Sequence, residues 1–248
     1  MNSEIKVIED LSLNAWPSHQ MQMYDGWILR FSYFYTHRTN CVEQVGASVI
    51  PLEEKLNYAE HIYQRWQTPC IYKISPITDP AIEEALIKRG YHIEHETDVM
   101  IVDLKAFQSV PHKQITLENT VSYRWLQGLF SLKNTQNIIH QRIVPSMYDA
   151  IPKDVIVASI MADNHVIATG LGILDRDYIG IYAIHVKEEY RRHHYARSLV
   201  SALLSEGKRH GAKKAYLQVV SGNEPAKALY KSLGFTKMYD YHFRVKEI

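Results

Sequence analysis

Residues 179–235 carry the pattern that most restricts the fold of this chain: a buried strand, a basic turn, a helix, a second strand and a second helix. Asn223-Glu224-Pro225 is a typical start for the second helix, with a capping side chain and an early proline. The first helix has a single apolar stripe that would dock on a sheet, formed by Ala196, Leu199, Val200, Leu203 and Leu204. The segment predicts an α/β fold.

The basic turn, Arg191-Arg192-His193-His194-Tyr195-Ala196-Arg197, lies where the first of these helices begins. Unpaired backbone N–H groups, the positive end of the helix dipole and three Arg side chains converge there. This arrangement predicts an anion site, with phosphate as the expected anion. A solvated cluster of surface charges is the alternative, because one exposed anion contact at a helix start contributes only about 0.3–1 kcal/mol.

These residues resemble the acetyl-CoA-binding core of the GNAT superfamily of N-acetyltransferases. The family signature is Arg or Gln, two residues, Gly, one residue, then Gly or Ala. Arg191 and Ala196 match its ends, whereas His194 stands where the family usually has Gly. The later family pattern, Asn-x-x-Ala-x-x-x-Tyr followed by Gly-Phe, is matched in full by Asn223, Ala226, Tyr230, Gly234 and Phe235. The resemblance covers roughly the C-terminal half of the chain.

The resemblance implies an acetyltransferase that uses acetyl-CoA as co-substrate and an amine as acceptor. It implies that Tyr230 is the catalytic residue, because a phenol with a reference pKa of about 10 stays protonated at neutral pH and can serve the departing thiolate. A Tyr that is only part of the core is the alternative. The implied coenzyme site comprises Ile184, His185, Val186, Arg191, Arg192, His193, His194, Tyr195, Ala196, Arg197, Asn223 and Ala226.

Several roles stay open at this stage. Asn223 is either a helix cap or an amide contact to the pantetheine arm, and the general base is not assigned among His185, Glu188 and Glu189. The replacement of Gly by His194 keeps a non-catalytic acyl-CoA-binding sensor or regulatory protein as a second hypothesis. The scattered His residues lack metal-ligand spacing, so no metal site is expected.

The acceptor side is expected, by family resemblance, within residues 122–150, together with whatever the N-terminal part contributes. Trp125, Phe130, Tyr148 and Asp149 are the residues of that segment expected to line it. Nothing in them selects a small amine, an amino acid, an antibiotic or a protein N-terminus.

The N-terminal part repeats the order of the C-terminal core. A shift of 144 positions places a predicted helix at 52–67 on the helix at 196–211, and Gly90-Tyr91 on Gly234-Phe235. Such matching order indicates a repeat. The first copy lacks the basic turn, since residues 43–49 contain no Lys or Arg, and Leu86 replaces Tyr230. An independent α/β domain is the alternative.

The predicted fold is therefore α/β (α+β), with two GNAT-like units that each have a mixed, mostly antiparallel sheet flanked by helices. Residues 1–110 form the degenerate unit and residues 111–248 the catalytic unit, with the linker at 106–114. Within the first unit, residues 27–35 are predicted to form a hairpin with residues 36–42.

Composition excludes several classes of partner. Lys and Arg total 28 against 27 Asp and Glu, without a long run of one charge, so neither nucleic acid nor a membrane is expected as partner. No signal sequence or long apolar run is present, so a cytoplasmic protein is expected. Cys41 and Cys70 lack a partner cluster and are expected to be reduced, buried thiols. The sequence does not indicate the oligomeric state.

Overall fold

The computed structural model describes residues 2–109 and 115–247, and these two segments are called the first and second half below. Residues 110–114 of the predicted linker lie outside the described residues. The predicted boundary between the two units falls within residues 110–114. No helix in either described segment is long and apolar enough to cross a membrane.

The first half begins with a helix that covers one face of the sheet through Ile5, Ile8 and Leu11. A hairpin, a short 3₁₀ turn at His37–Thr39 and a strand–helix–strand–helix–strand sequence follow. Its elements are α1 (Asn2–Ala15), β1 (Gln20–Tyr24), β2 (Trp27–Phe31), β3 (Val42–Gln44), α2 (Leu52–Arg65), β4 (Cys70–Ile74), α3 (Pro80–Lys88) and β5 (His92–Asp103).

The second half has an edge strand, two helices and an antiparallel meander before the basic turn. Pro145 lies inside the second of these helices. The elements are β6 (Ile115–Glu118), α4 (Tyr123–Leu132), α5 (Ile138–Asp149), β7 (Asp154–Ala162), β8 (His165–Asp175), β9 (Tyr178–Val186), α6 (Tyr195–Arg209), β10 (Lys214–Val220), α7 (Glu224–Ser232) and β11 (Thr236–Lys246).

The predicted mixed α/β class is confirmed, and the eleven described strands form one sheet in the order β1-β2-β3-β4-β11-β5-β10-β9-β8-β7-β6. Only β3–β4 and β9–β10 pair in parallel. The final strands of the two halves exchange places: β11 pairs with β4 and β5, while β5 pairs with β11 and β10. Each half is therefore completed by a strand of the other.

The two halves share an order of elements at a fixed offset. A shift of 144 positions superimposes α3 on α7 end to end and places α2, β4 and β5 on α6, β10 and β11. Asp79 and Asn223 cap the two matched helices by accepting hydrogen bonds from the backbone N–H groups of Ala81 and Ala226, at 3.0 and 3.2 Å. The two parallel strand pairs also lie at matching places in the halves.

The predicted hairpin of residues 27–35 with 36–42 has other bounds in the structure, where residues 27–29 pair antiparallel with 42–44. On their other side, residues 27–31 pair with β1 across the Asp25-Gly26 turn, where both residues have positive φ values of 44° and 77°. Residues 37–39 form the 3₁₀ turn, and β3 begins only at Val42. The edge strand β1 was missed although Gln20–Tyr24 alternates polar and apolar residues; its two Met side chains are exposed and do not face the core.

Helices cover both faces of the sheet, and they set the position of the site. In the second half, α6 and α7 pack on one face through Leu199, Leu203 and Tyr230. On the other face α1, α4 and α5 pack together, joined by residues such as Leu11 and Met147. The cleft described next opens where two strands of this covered sheet separate.

Candidate active site

The cleft begins where the parallel strands β9 and β10 stop pairing. Their ladder runs from Tyr178 and Lys214 to Ile181 and Leu217 and ends there. In the ladder with β8, Ala183 and Ile184 together oppose a single residue, and Ala183 has a φ of 51°, which identifies a β-bulge. Beyond this point the edges of β9 and β10 that face each other are unpaired, while each strand stays paired on its other side, with β8 and β5 respectively.

The cleft has a volume of about 290 Å³. Both strands, both halves of the chain and helices α4, α5 and α7 contribute to it. Its lining residues are Trp16, Tyr35, Arg38, Leu129, Lys133, Tyr148, Ile181, Tyr182, Ala183, Ile184, His185, Gln218, Val219, Val220, Asn223, Ala226 and Tyr230.

Tyr230 lines this cleft from α7. Its ring packs against Phe235 with centroids 6.0 Å apart, and the side chain is 9% exposed. Among the described residues its hydroxyl has no hydrogen-bond partner, although most buried phenols find one. Burial raises the pKa of Tyr230 to about 12, so the phenol is protonated at neutral pH. A protonated donor without a protein partner thus faces the cleft.

Asn223, the N-cap of α7, and Ala226, one turn before Tyr230 on that helix, also line the cleft. The two roles considered for Asn223 are compatible in this geometry. Its Oδ1 caps α7 by accepting from the backbone N–H of Ala226 at 3.2 Å, while its Nδ2 donates to no described residue. The side-chain amide donor is therefore left for a ligand.

The predicted strand contacts divide into two groups. Ile184 and His185 line the cleft, whereas Val186 ends β9 outside the lining, and its carbonyl accepts from Arg191 Nε at 3.3 Å. Burial, with the charges of Lys133 and Arg191, lowers the pKa of His185 to about 4. His185 is consequently neutral at pH 7. Glu188 and Glu189 do not line the cleft, and Glu189 accepts from Lys187 at 2.7 Å.

The basic turn follows Val186 and leads into α6. Arg191, Arg192, His193 and His194 are exposed, and Tyr195, Ala196 and Arg197 are half-buried in the first turn of the helix. Within the described chain, the backbone N–H groups of residues 193–197 donate to no acceptor. The turn therefore offers backbone donors and guanidinium groups together, as an anion site requires.

Two members of the turn differ from a simple anion loop. The guanidinium of Arg197 donates to Ser232 Oγ at 2.6 Å and so ties α6 to the end of α7. His194 is the N-cap of α6 but makes no side-chain cap, and it has a φ of 62° and a ψ of 9°. This left-handed conformation favours Gly, which explains why the family pattern usually has Gly at this position.

The first half contributes three cleft residues that sequence reasoning did not find. Trp16 follows α1, while Tyr35 and Arg38 come from the loop between β2 and β3. The ring of Trp16 lies 5.6 Å from Tyr148 and 6.2 Å from Tyr182, measured between centroids. Only the exchange of strands brings this loop beside β9 and β10, so no local pattern could have indicated it.

Of the residues expected on the acceptor side, the structure brings only Tyr148 to the cleft. Tyr148 lines the cleft, and Leu129 and Lys133 of the same segment do so as well. Trp125 instead lies in the core, where its Nε1 donates to the carbonyl of Ala158 at 3.0 Å, and Phe130 is buried beside it. Asp149 is exposed outside the lining.

A group of possible metal ligands is formed by His37, Glu94 and His95, whose ligand atoms lie within 4.8 Å of one another. Sequence spacing did not indicate it because the 3₁₀ turn of the first half meets β5 only in the folded chain. Glu94 is already engaged by His37 at 3.0 Å and by His92 at 2.9 Å.

Known proteins of similar structure span nearly the whole chain. A GCN5-related N-acetyltransferase from Kribbella flavida has a TM-score of 0.73 at 12% identity, with 97% of this chain and 95% of that one covered. A tandem GNAT protein from the clavulanic acid biosynthesis pathway has a TM-score of 0.68 at 13% identity, covering 97% of this chain and 87% of that one. These similarities show a shared fold.

Sequence comparison extends the similarity to function. The uncharacterized N-acetyltransferase YobR from Bacillus subtilis (strain 168) is 24% identical over 250 residues, which cover 98% of this chain and 99% of YobR. Residues 2–244 match the family model described as "Probable histone acetyltransferase Rv0428c C-terminal". The chain therefore belongs to that family and is an N-acetyltransferase of the GNAT type.

Proposed function

We propose that this enzyme transfers the acetyl group of acetyl-CoA to a primary amine by direct attack of the amine on the thioester. The observation that carries the proposal is the phenol of Tyr230, which is protonated, has no partner among the described residues and faces a cleft formed by separated strands. Asn223 and the unpaired edges of β9 and β10 line the same cleft, as the pantetheine arm requires.

In the proposed reaction the amine nitrogen forms a bond to the acetyl carbon, and the bond from that carbon to sulfur breaks. The nitrogen loses one proton and the sulfur gains one. Tyr230 donates a hydrogen bond to the departing sulfur and so stabilises the thiolate, and the proton released by nitrogen reaches the sulfur through solvent. Because the pKa of Tyr230 is near 12, stabilisation of the thiolate by hydrogen bonding precedes any transfer.

The coenzyme is proposed to bind in two regions. Extended backbone beyond Ile181 on β9 pairs with the pantetheine amides, in the manner of an added strand. The backbone N–H groups of residues 193–197, with Arg191 and Arg192, bind the pyrophosphate. Arg197 contributes its backbone N–H group, because its guanidinium is engaged by Ser232.

The chain is further proposed to be a tandem of two GNAT-like units, 1–110 and 111–248, of which only the second binds the coenzyme. The fixed offset between the halves supports the repeat. A cavity of about 460 Å³ beside β3 is lined by Glu9, Asp10 and Glu43, with Lys6 as its only lining cation among the described residues. This cavity therefore lacks the cluster of Arg side chains that the basic turn of the second half offers to a pyrophosphate.

The proposal places the enzyme in the cytoplasm, where acetyl-CoA is the expected co-substrate. Cys41 and Cys70 are buried free thiols in separate clusters, which is typical of proteins from reducing compartments.

Calorimetry with acetyl-CoA, followed by an assay of thiol release with a panel of amines, tests the proposed function. We expect binding that weakens with ionic strength, because screening acts over about 8–10 Å on the exposed Arg side chains. We also expect amine-dependent thiol release. Absence of acetyl-CoA binding at low salt would contradict the proposal. Binding of acetyl-CoA without thiol release in the presence of any amine would support only a coenzyme-binding protein.

A further inference from the structure

We propose that the acceptor is a free amino acid and that Arg38, from the first half of the chain, binds its carboxylate. This inference rests on the N-acetyl transfer proposed above and adds the class of acceptor. Three features of the cleft support this inference. Its described lining contains no Asp or Glu, the guanidinium of Arg38 has no carboxylate partner, and several buried groups can only donate hydrogen bonds.

The lining of the cleft contains two cations, Arg38 and Lys133, and no Asp or Glu among its described residues. Lys133 donates to the hydroxyl of Tyr35 at 2.7 Å and lies over its ring at 4.3 Å. Partial desolvation and the charge of Arg38 both lower the pKa of Lys133, as expected for two nearby cations. An acceptor whose only charge is a basic amine would be repelled by this end of the cleft.

Arg38 differs from the other buried or half-buried cations of the first half. Arg30 has Glu43 at 3.6 Å, Lys73 has Glu9 at 2.7 Å, and Lys55 has Asp25 at 3.5 Å. Arg38 has no carboxylate within 4.0 Å in the described segments. Its Nε donates to Tyr241 Oη at 2.9 Å, and its two terminal nitrogens donate to none of the described groups. A desolvated cation without a counter-ion is unfavourable, so a ligand is the expected source of the negative charge.

The hydrogen bonds that run from Arg38 through Tyr241 determine which atom of Gln218 remains without a partner. Tyr241 Oη accepts from Arg38, so its own proton goes to Gln218 Oε1 at 3.1 Å. That contact fixes the orientation of the Gln218 amide and leaves its buried Nε2 without a partner among the described residues. Gln218 lies on β10 in the cleft lining, directly after the point where β10 leaves β9.

Trp16 provides a second hydrogen-bond donor without an acceptor among the described residues. It is 9% exposed, lines the cleft, and its buried Nε1–H has no acceptor in the described chain. An indole N–H, an amide NH₂ and a guanidinium can only donate, whereas a carboxylate can only accept and has two oxygens to do so. The three groups together therefore match a carboxylate, and Arg is suited to bind it in a bidentate manner.

The size of the cleft favours a small acceptor. At about 290 Å³ it is at the lower end of ligand pockets, which commonly span about 300–1,000 Å³. The aromatic rings of Tyr148 and Tyr182 pack against Trp16 in its wall, with centroids 5.6 and 6.2 Å from that of Trp16. A free amino acid carries both the attacking amine and the carboxylate within these limits.

The test compares amino acids with their decarboxylated amines in the full-length protein. Thiol release is measured with the common amino acids, the matching amines, aminoalkyl phosphates and a lysine-rich histone-tail peptide. We expect at least one amino acid to exceed its decarboxylated amine in kcat/KM by about 10–100-fold, the effect of a hydrogen-bonded charge. Higher activity with the peptide, the phosphates or the plain amines would overturn the inference, while leaving the proposed acetyl transfer intact.

Three variants connect the preference to the named residues. Arg38→Met is expected to raise KM for the amino acid by about 10–100-fold and to lower KM for the decarboxylated amine, because one of the two repelling cations is removed. Gln218→Glu keeps the acceptor for Tyr241 but adds a negative charge, and it should reverse the preference between the two substrates. Arg65→Met, at an exposed site outside the cleft, controls for net charge. Equal effects on both substrates would show a structural role for Arg38 and contradict the inference.

Product binding provides a readout that does not require turnover. With CoA present, at least one N-acetylamino acid should raise the melting temperature of the wild-type protein and not that of Gln218→Glu. If CoA stabilises the protein and none of the N-acetylamino acids adds to it, the acceptor class is wrong. If CoA itself does not raise the melting temperature, the result contradicts the proposed function and not the acceptor class alone.

Discussion

At the scale of single residues, the cleft contains hydrogen-bond donors that are available to a ligand because they have no partner among the described residues. The hydroxyl of Tyr230 and the Nδ2 of Asn223 are free among the described residues, although both side chains also have structural roles in α7. The C-terminal pattern predicted both from sequence, because one helix carries them at fixed spacing. Arg38 and Trp16 could not be predicted, because about 190–215 positions separate them from Tyr230 and only tertiary structure unites them.

Tyr230→Phe retains the ring and removes the hydroxyl. We expect kcat to fall by about 10–100-fold, as for loss of a hydrogen bond to a developing charge, because a pKa near 12 makes the phenol a weak acid. A larger fall, toward about 10⁴-fold, would show full proton donation. The melting temperature should hardly change. Tyr123→Phe, at a site that is 76% exposed, is the matched control, and unchanged turnover in Tyr230→Phe would restore its core-residue interpretation.

His194→Gly tests the strained position in the basic turn. A non-Gly residue in the left-handed region costs on the order of 1 kcal/mol, so we expect the variant to be more stable by about 0.5–1 kcal/mol. We also expect tighter binding of acetyl-CoA in calorimetry, because the backbone can approach the phosphates more closely. His193→Gly, without a positive φ, should bring no such gain. Weaker binding in His194→Gly would assign a direct coenzyme contact to the imidazole.

At the scale of elements, a strand of the first half positions the helix that carries Tyr230. Asp98 on β5 is buried, with Lys237 of β11 at 2.8 Å, Lys227 of α7 at 3.3 Å and Ser221 Oγ at 3.1 Å. Local patterns predicted elements such as α6 and α7, because caps and apolar stripes are local features. They could not predict which strands become neighbours.

Asp98→Asn removes the charge that these two lysines share. We expect unfolding in urea at pH 7 to show a loss of about 1–3 kcal/mol, typical of a buried group that loses charged partners. Burial by itself would raise the pKa of Asp98. The pKa is nevertheless below its value in the unfolded chain, because Asp98 accepts hydrogen bonds from Lys237, Ser221 and Lys227. Its contribution is therefore present at neutral pH and is lost as the pH falls through that lowered pKa.

The stability curves of wild type and Asp98→Asn should accordingly converge in acid. Asp240→Asn is the control, since Asp240 also contacts Lys237, at 2.6 Å, but its side chain is 61% exposed. A difference between wild type and Asp98→Asn that persists unchanged at low pH would contradict the assigned cause.

At the scale of the whole molecule, a buried ion network joins elements from both halves. Lys73 on β4 contacts Glu9 of α1 at 2.7 Å and Glu43 of β3 at 3.5 Å, and Tyr239 of β11 donates to Glu9 at 2.6 Å. Although burial disfavours its charged form, Glu43 and Glu9 raise the pKa of Lys73. The network lies where β4 meets the strand received from the second half.

Lys73→Met leaves Glu9 buried without its cation and leaves Glu43 with only Arg30, at 3.6 Å. We expect the free energy of unfolding to fall by about 3–5 kcal/mol, as when one partner of a buried pair is removed. Equilibrium unfolding in urea measures this loss, and adding Glu9→Gln should recover part of it. Lys213→Met removes a lysine that is 77% exposed and should cost less than about 0.5 kcal/mol. A similar small loss in Lys73→Met would show that water replaces the ammonium.

The exchange of β5 and β11 has a consequence for biosynthesis. Strand β4 ends at Ile74, but its partner β11 begins at Thr236, near the end of the chain. At about 5–20 residues per second, the ribosome needs roughly ten to thirty seconds to make the residues between them. During this interval one edge of β4 lacks its final neighbour, and an open strand edge invites pairing with other chains. In nascent copies of this enzyme that edge therefore has to remain protected until β11 has been synthesised.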